Sequence, residues 1–167
     1  MIDQLRAKAV ASLPARLWRS GVEGLLFPFD FFVLGTPLSL QARSTSLRRW
    51  KDTVAQAAAA RIRERDIQTF LLPSSLAITI YYFPLAPMGG DIDNIVKPIL
   101  DALIGVVYLD DQMIEMVTVQ KFEPDIAWEI SSQSQQLASA LDHMSSSEAS
   151  TPVVYVHVAD DLSWRRR

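Results

Sequence analysis

The sequence predicts an α/β fold of the α+β type, in which helices pack on a small mixed β-sheet, over a chain of 167 residues. Two kinds of segment predict it. Residues 25–34, 75–83 and 153–158 are rich in β-branched and aromatic residues, as buried strands are. Residues 44–65, and the segment that starts at Ile95, repeat apolar residues every three or four positions, as helices packed on one face do. With 49% hydrophobic and 21% charged residues, the chain has enough apolar material for a core.

The first 18 residues predict a short amphipathic helix. An apolar residue recurs there at every fourth position, at Leu5, Ala9, Leu13 and Leu17. The segment contains no long apolar run, so it is neither a secretory signal nor an anchor. No other segment reaches the roughly 18 apolar residues that a bilayer-spanning helix needs. We therefore expect a soluble, cytoplasmic protein with no membrane partner.

The helix predicted over residues 44–65 separates an apolar stripe from a basic face. Ser44, Thr45 and Ser46 are candidate N-caps for it. The apolar stripe consists of Leu47, Trp50, Val54, Ala57 and Ala58, and the opposite side carries Arg48, Arg49 and Arg63. On this evidence alone, a solvated face is the better interpretation of the arginines.

The middle of the chain contains the most informative pattern. A strand over residues 75–83 is closed by prolines and a Gly-Gly pair, and Pro98 requires the next helix to begin near Asp93 or Asn94. That helix should stop at Gly105. We then expect a short strand over residues 106–109, a turn at Asp110-Asp111 and a strand over residues 113–122. Further expectations are a helix within residues 125–144, a loop over residues 145–152 and a final strand over residues 153–158.

The net charge of −3 hides a strong polarity along the chain. Residues 1–65 carry 11 basic and 5 acidic side chains, whereas residues 66–164 carry 2 basic and 14 acidic side chains. The last three residues are all arginine. A basic segment can hold a polyanion, and an acidic segment can collect cations. Chance unevenness, or pairing between the two halves, is the alternative.

Cysteine and histidine chemistry is largely excluded. The chain has no cysteine, so it forms no disulfide, thiolate zinc site or cysteine nucleophile. Its two histidines, His143 and His157, are too few and too far apart in sequence to predict a histidine-rich metal site. This leaves carboxylates as the candidate metal ligands.

Asp91, Asp93 and one residue of the Asp110-Asp111 pair have the pattern of a magnesium site. Residues two apart in an extended segment share a face, so Asp91 and Asp93 should converge at the start of the helix. Mg²⁺ prefers oxygen ligands and needs only one or two carboxylates in addition to substrate phosphates. Lys97 falls in the first helical turn, where its charge could contact phosphate oxygens.

Each of these residues also has a purely structural interpretation. Asp93 or Asn94 could be an N-cap, and Asp110-Asp111 is an ordinary turn dipeptide. Asp101 should be solvated or salt-bridged. The D-x-D pattern is also used with Mn²⁺ by sugar-nucleotide transferases, although the domain is small for that chemistry.

The segment DIDNIVKPILDALIG followed by LDDQMI is similar to the core of the RusA family of crossover-junction endodeoxyribonucleases, the Holliday junction resolvases. The upstream GTPLSLQAR segment and the basic helix after it also resemble the family's N-terminal region. The resemblance spans about residues 25–122, with the last strand included. It implies a RusA-like, homodimeric α/β enzyme that makes paired, symmetric nicks in four-way DNA junctions with Mg²⁺, for which Mn²⁺ could substitute.

The resemblance also implies roles for individual residues. Asp91, Asp93 and Asp111 would be the catalytic carboxylates that bind the metal, and Lys97 would assist at the scissile phosphate. In this context the basic residues become candidates for the phosphate surface, with the three terminal arginines as an additional contact. These candidates are Arg43, Arg48, Arg49, Lys51 and Arg63.

The resemblance divides the chain into an N-terminal helical extension over residues 1–24, a nuclease domain over residues 25–160 and a basic tail over residues 161–167. Within the domain, residues 125–150 have the pattern of a helical or loop insertion. Two other functions stay open at this point. One is a non-catalytic module that binds branched DNA, and the other is a protein-interaction domain whose aspartates are helix caps.

Overall fold

A mixed β-sheet forms the centre of the computed structural model, which describes residues 27–66, 75–146, 151–160 and 162. Its strands are β1 (Phe29–Leu34), β2 (Leu76–Phe83), β3 (Ile114–Lys121) and β4 (Val153–Ala159). The order across the sheet is β1-β4-β2-β3. β4 is antiparallel to both β1 and β2, whereas β2 and β3 are parallel. The predicted mixed sheet with packed helices is therefore confirmed.

Helices cover the two faces of the sheet unequally. On one face, α1 (Ser44–Glu64) and α2 (Val96–Leu103) pack against each other and enclose the larger core. As predicted, Trp50, Val54 and Ala58 of α1 are buried in that core. On the other face, α3 (Gln135–Ser145) contributes Leu137 and Ala140 to a smaller aromatic core.

The parallel pairing of β2 with β3 places the acidic motif. Parallel strands require a crossover connection, and here the crossover is the segment between Phe83 and Ile114. It contains a 3₁₀ turn (Ile92–Ile95), α2 and a second 3₁₀ turn (Asp111–Met113). Every residue of the predicted metal site therefore lies on one connection across the face that α1 and α2 share.

The predicted short strand over residues 106–109 is wrong. Gly105, at φ +75°, reverses the chain, and only an isolated bridge between Ile104 and Tyr108 forms there. The Leu103 carbonyl accepts hydrogen bonds from the N–H groups of Val106 and Val107, at 3.1 and 2.9 Å. Because these donors are used within the turn, they are not available for a strand ladder.

The predicted helix within residues 125–144 forms only in its second half, as α3. Asp125 adopts a left-handed φ of +68°, and Trp128 packs on the rings of Phe83 and Phe122 at centroid distances of 5.6 and 5.0 Å. These contacts hold the chain in a non-helical path until Ser134, whose hydroxyl caps α3 by accepting from the Leu137 N–H.

The predicted caps of α1 are also wrong. The N-cap is Arg43, which has no side-chain capping bond, and Ser44, Thr45 and Ser46 are exposed within the first turn of the helix. Water can satisfy the exposed N–H groups of that turn.

Some predictions fall outside the described residues: the helix over residues 1–18, part of the loop over residues 145–152, and the terminal arginines. In the described ranges, no helix combines the length and the apolar character that crossing a bilayer would require.

Candidate active site

Asp91 and Asp93 lie at the surface where the crossover leaves the loop after β2. Asp91 has an extended backbone immediately before the first 3₁₀ turn, and Asp93 lies within that turn. Both are exposed, and the Asp91 side chain makes no capping hydrogen bond. Capping therefore does not account for Asp91, and both carboxylates are open to solvent.

Pro98 sets the position of Lys97, as predicted. It is the third residue of α2, in the first turn, where a missing N–H is tolerated. Ile95, Ile99 and Leu103 are buried against the sheet and fix the rotation of the helix. Lys97 therefore points outward, and 47% of its side chain is exposed.

The Lys97 ammonium joins the two parts of the motif. Its Nζ lies 2.5 Å from Oδ2 of Asp111, at the start of the second 3₁₀ turn, and 2.9 Å from Oδ1 of Asp101 on α2. The chain reaches this contact because it turns back along α2 after Gly105. Tyr108 fixes that path, since its buried hydroxyl donates to the Leu100 carbonyl at 2.6 Å.

Asp101 extends this group of charges to α1. Its Oδ2 lies 2.7 Å from Nζ of Lys51, fifty residues earlier in the chain. The salt-bridged alternative for Asp101 is thus confirmed. Because α1 and α2 pack against each other, Lys51, Asp101, Lys97 and Asp111 form a continuous row of alternating charges, the charge row.

The pKa values follow from these contacts. Hydrogen bonds from Lys97, in the first place to Asp111 and then to Asp101, hold the pKa of Lys97 well above its usual value. The bond to Lys97 lowers the pKa of Asp111. Partial burial acts to raise the pKa of Asp101, but hydrogen bonds from Lys51 and Lys97 outweigh burial and lower it. All three groups are charged at neutral pH.

The two neighbouring aspartates have different contacts. The Asp110 carboxylate accepts from the N–H of Gln112 at 2.9 Å and so stabilises the turn. This is the structural role that a turn dipeptide predicts. Asp111 instead directs its carboxylate at Lys97.

The carboxylates fit Mg²⁺ by donor chemistry but are not gathered into a cage. Within the described ranges, no three acidic or histidine side chains lie close enough together to hold a metal ion. Exposed Asp91 and Asp93 suit an ion that completes its shell with water and phosphate oxygens. In this structure the Asp111 carboxylate is bound to Lys97, and its predicted part in metal binding stays a prediction.

The five candidate DNA-binding residues separate into two groups. Arg48, Arg49 and Arg63 are exposed on α1, as the helical pattern predicts, and so is Arg43 just before the helix, whereas Lys51 is partly buried and paired with Asp101. Since α1 and α2 cover the same face of the sheet, the exposed arginines and the acidic motif belong to one side of the molecule.

Sequence reasoning missed Glu123 and underestimated Asp101. The Glu123 carboxylate accepts from the Met88 N–H, at 3.2 and 3.3 Å to its two oxygens, and pairs with Lys121 at 2.6 Å. It thereby fastens the loop that leads to Asp91. The i, i+4 spacing of Lys97 and Asp101 was a usable signal. Nothing in the sequence connected Asp101 with Lys51, or Glu123 with Met88.

Comparison with known proteins identifies the family. No curated protein matches the chain. A family model described as endodeoxyribonuclease RusA matches residues 41–131, more than half of the 167 residues. The matched range contains α1, β2, the whole crossover and β3, while β1, α3 and β4 lie outside it. On this match, and with the acidic motif on a mixed sheet as described, the chain belongs to the RusA family of endodeoxyribonucleases.

Proposed function

We propose that this protein is a Mg²⁺-dependent, structure-selective endonuclease that resolves four-way DNA junctions by paired symmetric nicks, in DNA recombination and repair. The observation that carries the proposal is the contact between Lys97 and Asp111. It brings Lys97, from the first segment of the motif, and Asp111, from the second segment and fourteen residues later, into contact at the surface. Family membership supplies the class of reaction, which is hydrolysis of DNA phosphodiester bonds.

The roles of the residues follow from their chemistry. Asp91, Asp93 and Asp111 would hold the ion, and Mn²⁺ is a possible substitute because it also accepts oxygen ligands. When bound there, Mg²⁺ would supply an activated water and stabilise negative charge at the phosphate. Lys97, protonated at neutral pH, places a fixed positive charge beside the phosphate oxygens. The exposed arginines of α1, with the terminal arginines, bind the backbone of the DNA.

A homodimer in the cytoplasm completes the proposal. A four-way junction has two-fold symmetry, so a symmetric dimer presents two identical sites to equivalent phosphates in opposing strands. Each subunit then makes one of the paired nicks.

A non-catalytic module that binds branched DNA is the second candidate. One observation favours it: the described residues contain no group of three acidic or histidine side chains close enough to hold a metal ion. On this alternative, the protein would bind a junction and leave its strands intact.

Cleavage of a labelled synthetic four-way junction, with and without Mg²⁺, tests the proposal. We expect paired nicks by the wild type only with the metal, and a loss of about a thousandfold in rate for Asp93→Asn. Junction binding by the variant should be equal or tighter, because a negative charge near the phosphates is removed.

Asp142→Asn is the matched control, since Asp142 is an exposed aspartate of α3 on the opposite side of the sheet. It should cut at the wild-type rate. Undiminished cutting by Asp93→Asn would contradict the site, and binding without cutting in either Mg²⁺ or Mn²⁺ would establish the second candidate.

A further inference from the structure

Asp101 is placed between two lysines that come from different helices. One of its carboxylate oxygens binds Lys51 of α1 at 2.7 Å, and the other binds Lys97 of α2 at 2.9 Å. The exposed side-chain fractions are 31% for Lys51 and 23% for Asp101, against 47% for Lys97. Lys51 and Asp101 are thus more shielded from water than Lys97.

Lys97 needs such an anchor. A lysine carries its charge on a flexible four-carbon stem, and an unrestrained ammonium samples many positions. Two carboxylates restrain it here, those of Asp101 and Asp111. If Asp111 turns to a cation, as the proposed function requires, Asp101 is the carboxylate that still contacts Lys97.

Lys51 in turn restrains Asp101. Asp101 is partly buried, and a partly buried carboxylate needs its charge compensated when Lys97 engages a phosphate. Lys51 compensates it from α1, which packs directly against α2. The contact also directs the Lys51 ammonium at a carboxylate of the protein, whereas the neighbouring Arg48 and Arg49 remain exposed.

We propose that Asp101 and Lys51 are positioning residues that hold the Lys97 ammonium at the scissile phosphate, and that Lys51 is not one of the DNA contacts. This inference rests on the proposed function of Lys97. Through the Asp101 carboxylate, α1, which carries the proposed DNA-binding arginines, is connected to Lys97 at the scissile phosphate.

Nicking kinetics test the positioning role. We expect Asp101→Asn to slow single-turnover cleavage of a four-way junction by about tenfold, the size typical of lost supporting contacts. Junction affinity should change by less than about twofold, because no phosphate contact is lost. Asp101→Glu should recover most of the rate. Lys51→Met should slow cleavage by a few-fold, again without weakening binding.

A double-mutant cycle separates positioning from general stability. In a Lys97→Met background, Asp101→Asn should cause no further loss of rate, since residues that act through one group are not additive. Independent, multiplying losses would overturn the proposal, as would junction binding weakened by Lys51→Met. Glu64→Gln, which breaks the Arg61–Glu64 pair on the same helix, is the control and should change neither quantity.

A measurement without metal or DNA keeps the two proposals distinguishable. The chain has four lysines, so the side-chain ammonium signals in ¹H–¹⁵N spectra can be assigned by substitution. We expect a slowly exchanging Lys97 signal in the wild type, lost in Asp101→Asn and retained in Glu64→Gln. An unchanged Lys97 signal in Asp101→Asn would overturn the positioning role. A wild type that never nicks junctions would overturn the proposed function instead.

If Asp101→Asn folds poorly, the double variant Lys51→Met/Asp101→Asn is used in its place. It removes both charges of the pair and so leaves no unpaired charge behind. Circular dichroism and thermal unfolding confirm that the variant is folded before its rate and its Lys97 signal are compared with the wild type.

Discussion

At the scale of single residues, Tyr108 determines where Asp111 lies. It is the largest fully buried side chain in the described part of the chain, and its hydroxyl donates to the Leu100 carbonyl of α2 at 2.6 Å. This bond ties the segment after Gly105 back onto the helix. Burial, and then the nearby charges of Asp111 and Asp101, hold the pKa of Tyr108 well above its usual value of 10.0. The folded state therefore keeps this phenol neutral.

Tyr108→Phe should lower the free energy of unfolding by about 1 kcal/mol near neutral pH, because one buried hydrogen bond is lost. The pH dependence has a defined sign. The pKa of Tyr108 is raised in the folded state. The stability that the neutral Tyr108 phenol contributes is therefore complete below pH 10, and it is lost as the pH rises through the pKa of Tyr108 in the folded protein. Denaturant unfolding of the wild type and Tyr108→Phe between pH 7 and 11.5 measures this pH dependence.

The stability difference between the wild type and Tyr108→Phe should narrow above pH 10, by up to about 1.4 kcal/mol per pH unit. Tyr155, whose pKa is also raised by burial, is present in both proteins and cancels. A difference that stays constant to pH 11.5 would contradict the assignment.

At the scale of elements, the end of β3 controls the loop that presents the first two aspartates. Glu123 follows β3 and binds the Met88 N–H, three residues before Asp91. Its side chain is only 15% exposed and is paired with Lys121. The lysine, and then the backbone donor of Met88, hold the pKa of Glu123 below its usual value. The loop is therefore bonded to the end of the strand through the Glu123 side chain.

Glu123→Ala should release this loop. We expect amide hydrogen exchange at Met88 to become about tenfold faster, the size of one lost charge-assisted hydrogen bond. Nicking should slow in parallel, because Asp91 and Asp93 lose their fixed position. Glu129→Ala removes an exposed glutamate nearby and should leave exchange at Met88 unchanged. Equal exchange rates in the two variants would rule out the anchoring role.

At the scale of the whole molecule, the separation of charge along the chain becomes a separation between neighbouring surfaces. The exposed arginines of α1 and the acidic motif of the crossover lie on the side of the sheet that α1 and α2 cover. On the proposed function, a polyanion would bind the arginines, and the carboxylates of the acidic motif would face its phosphates. The net charge of −3 is therefore a poor guide to DNA binding.

Salt dependence of junction binding distinguishes the two groups of basic residues on α1. Arg48→Ala/Arg49→Ala should make the slope of log K against log salt concentration shallower by about 1.8, since each phosphate contact contributes about 0.9. Lys51→Met should leave the slope unchanged, because Lys51 is paired with Asp101. Fluorescence anisotropy of a labelled junction over a series of salt concentrations measures the slopes of both variants. An unchanged slope in the double arginine variant would place the DNA elsewhere.

The sequence by itself determined the fold class, the strands, both faces of α1, and the turn of α2 on which Lys97 lies. These features depend on local periodicity and on the restrictions that Pro98 and Gly105 impose on nearby backbone. The same local rules were wrong where tertiary contacts compete with them. Residues 106–108 use their N–H groups within a turn on α2, and Trp128 packs on an aromatic cluster instead of continuing a helix.

Only the tertiary structure decided which charges meet. The charge row joins Lys51 to Asp101 across fifty residues and Lys97 to Asp111 across fourteen, and Glu123 reaches Met88 across thirty-five. Ion pairs between distant segments leave no periodic trace in the sequence, because they depend on how α1 packs on α2 and on how the crossover returns to β3. The residue types of the site were therefore readable from the chain, but their partners were not.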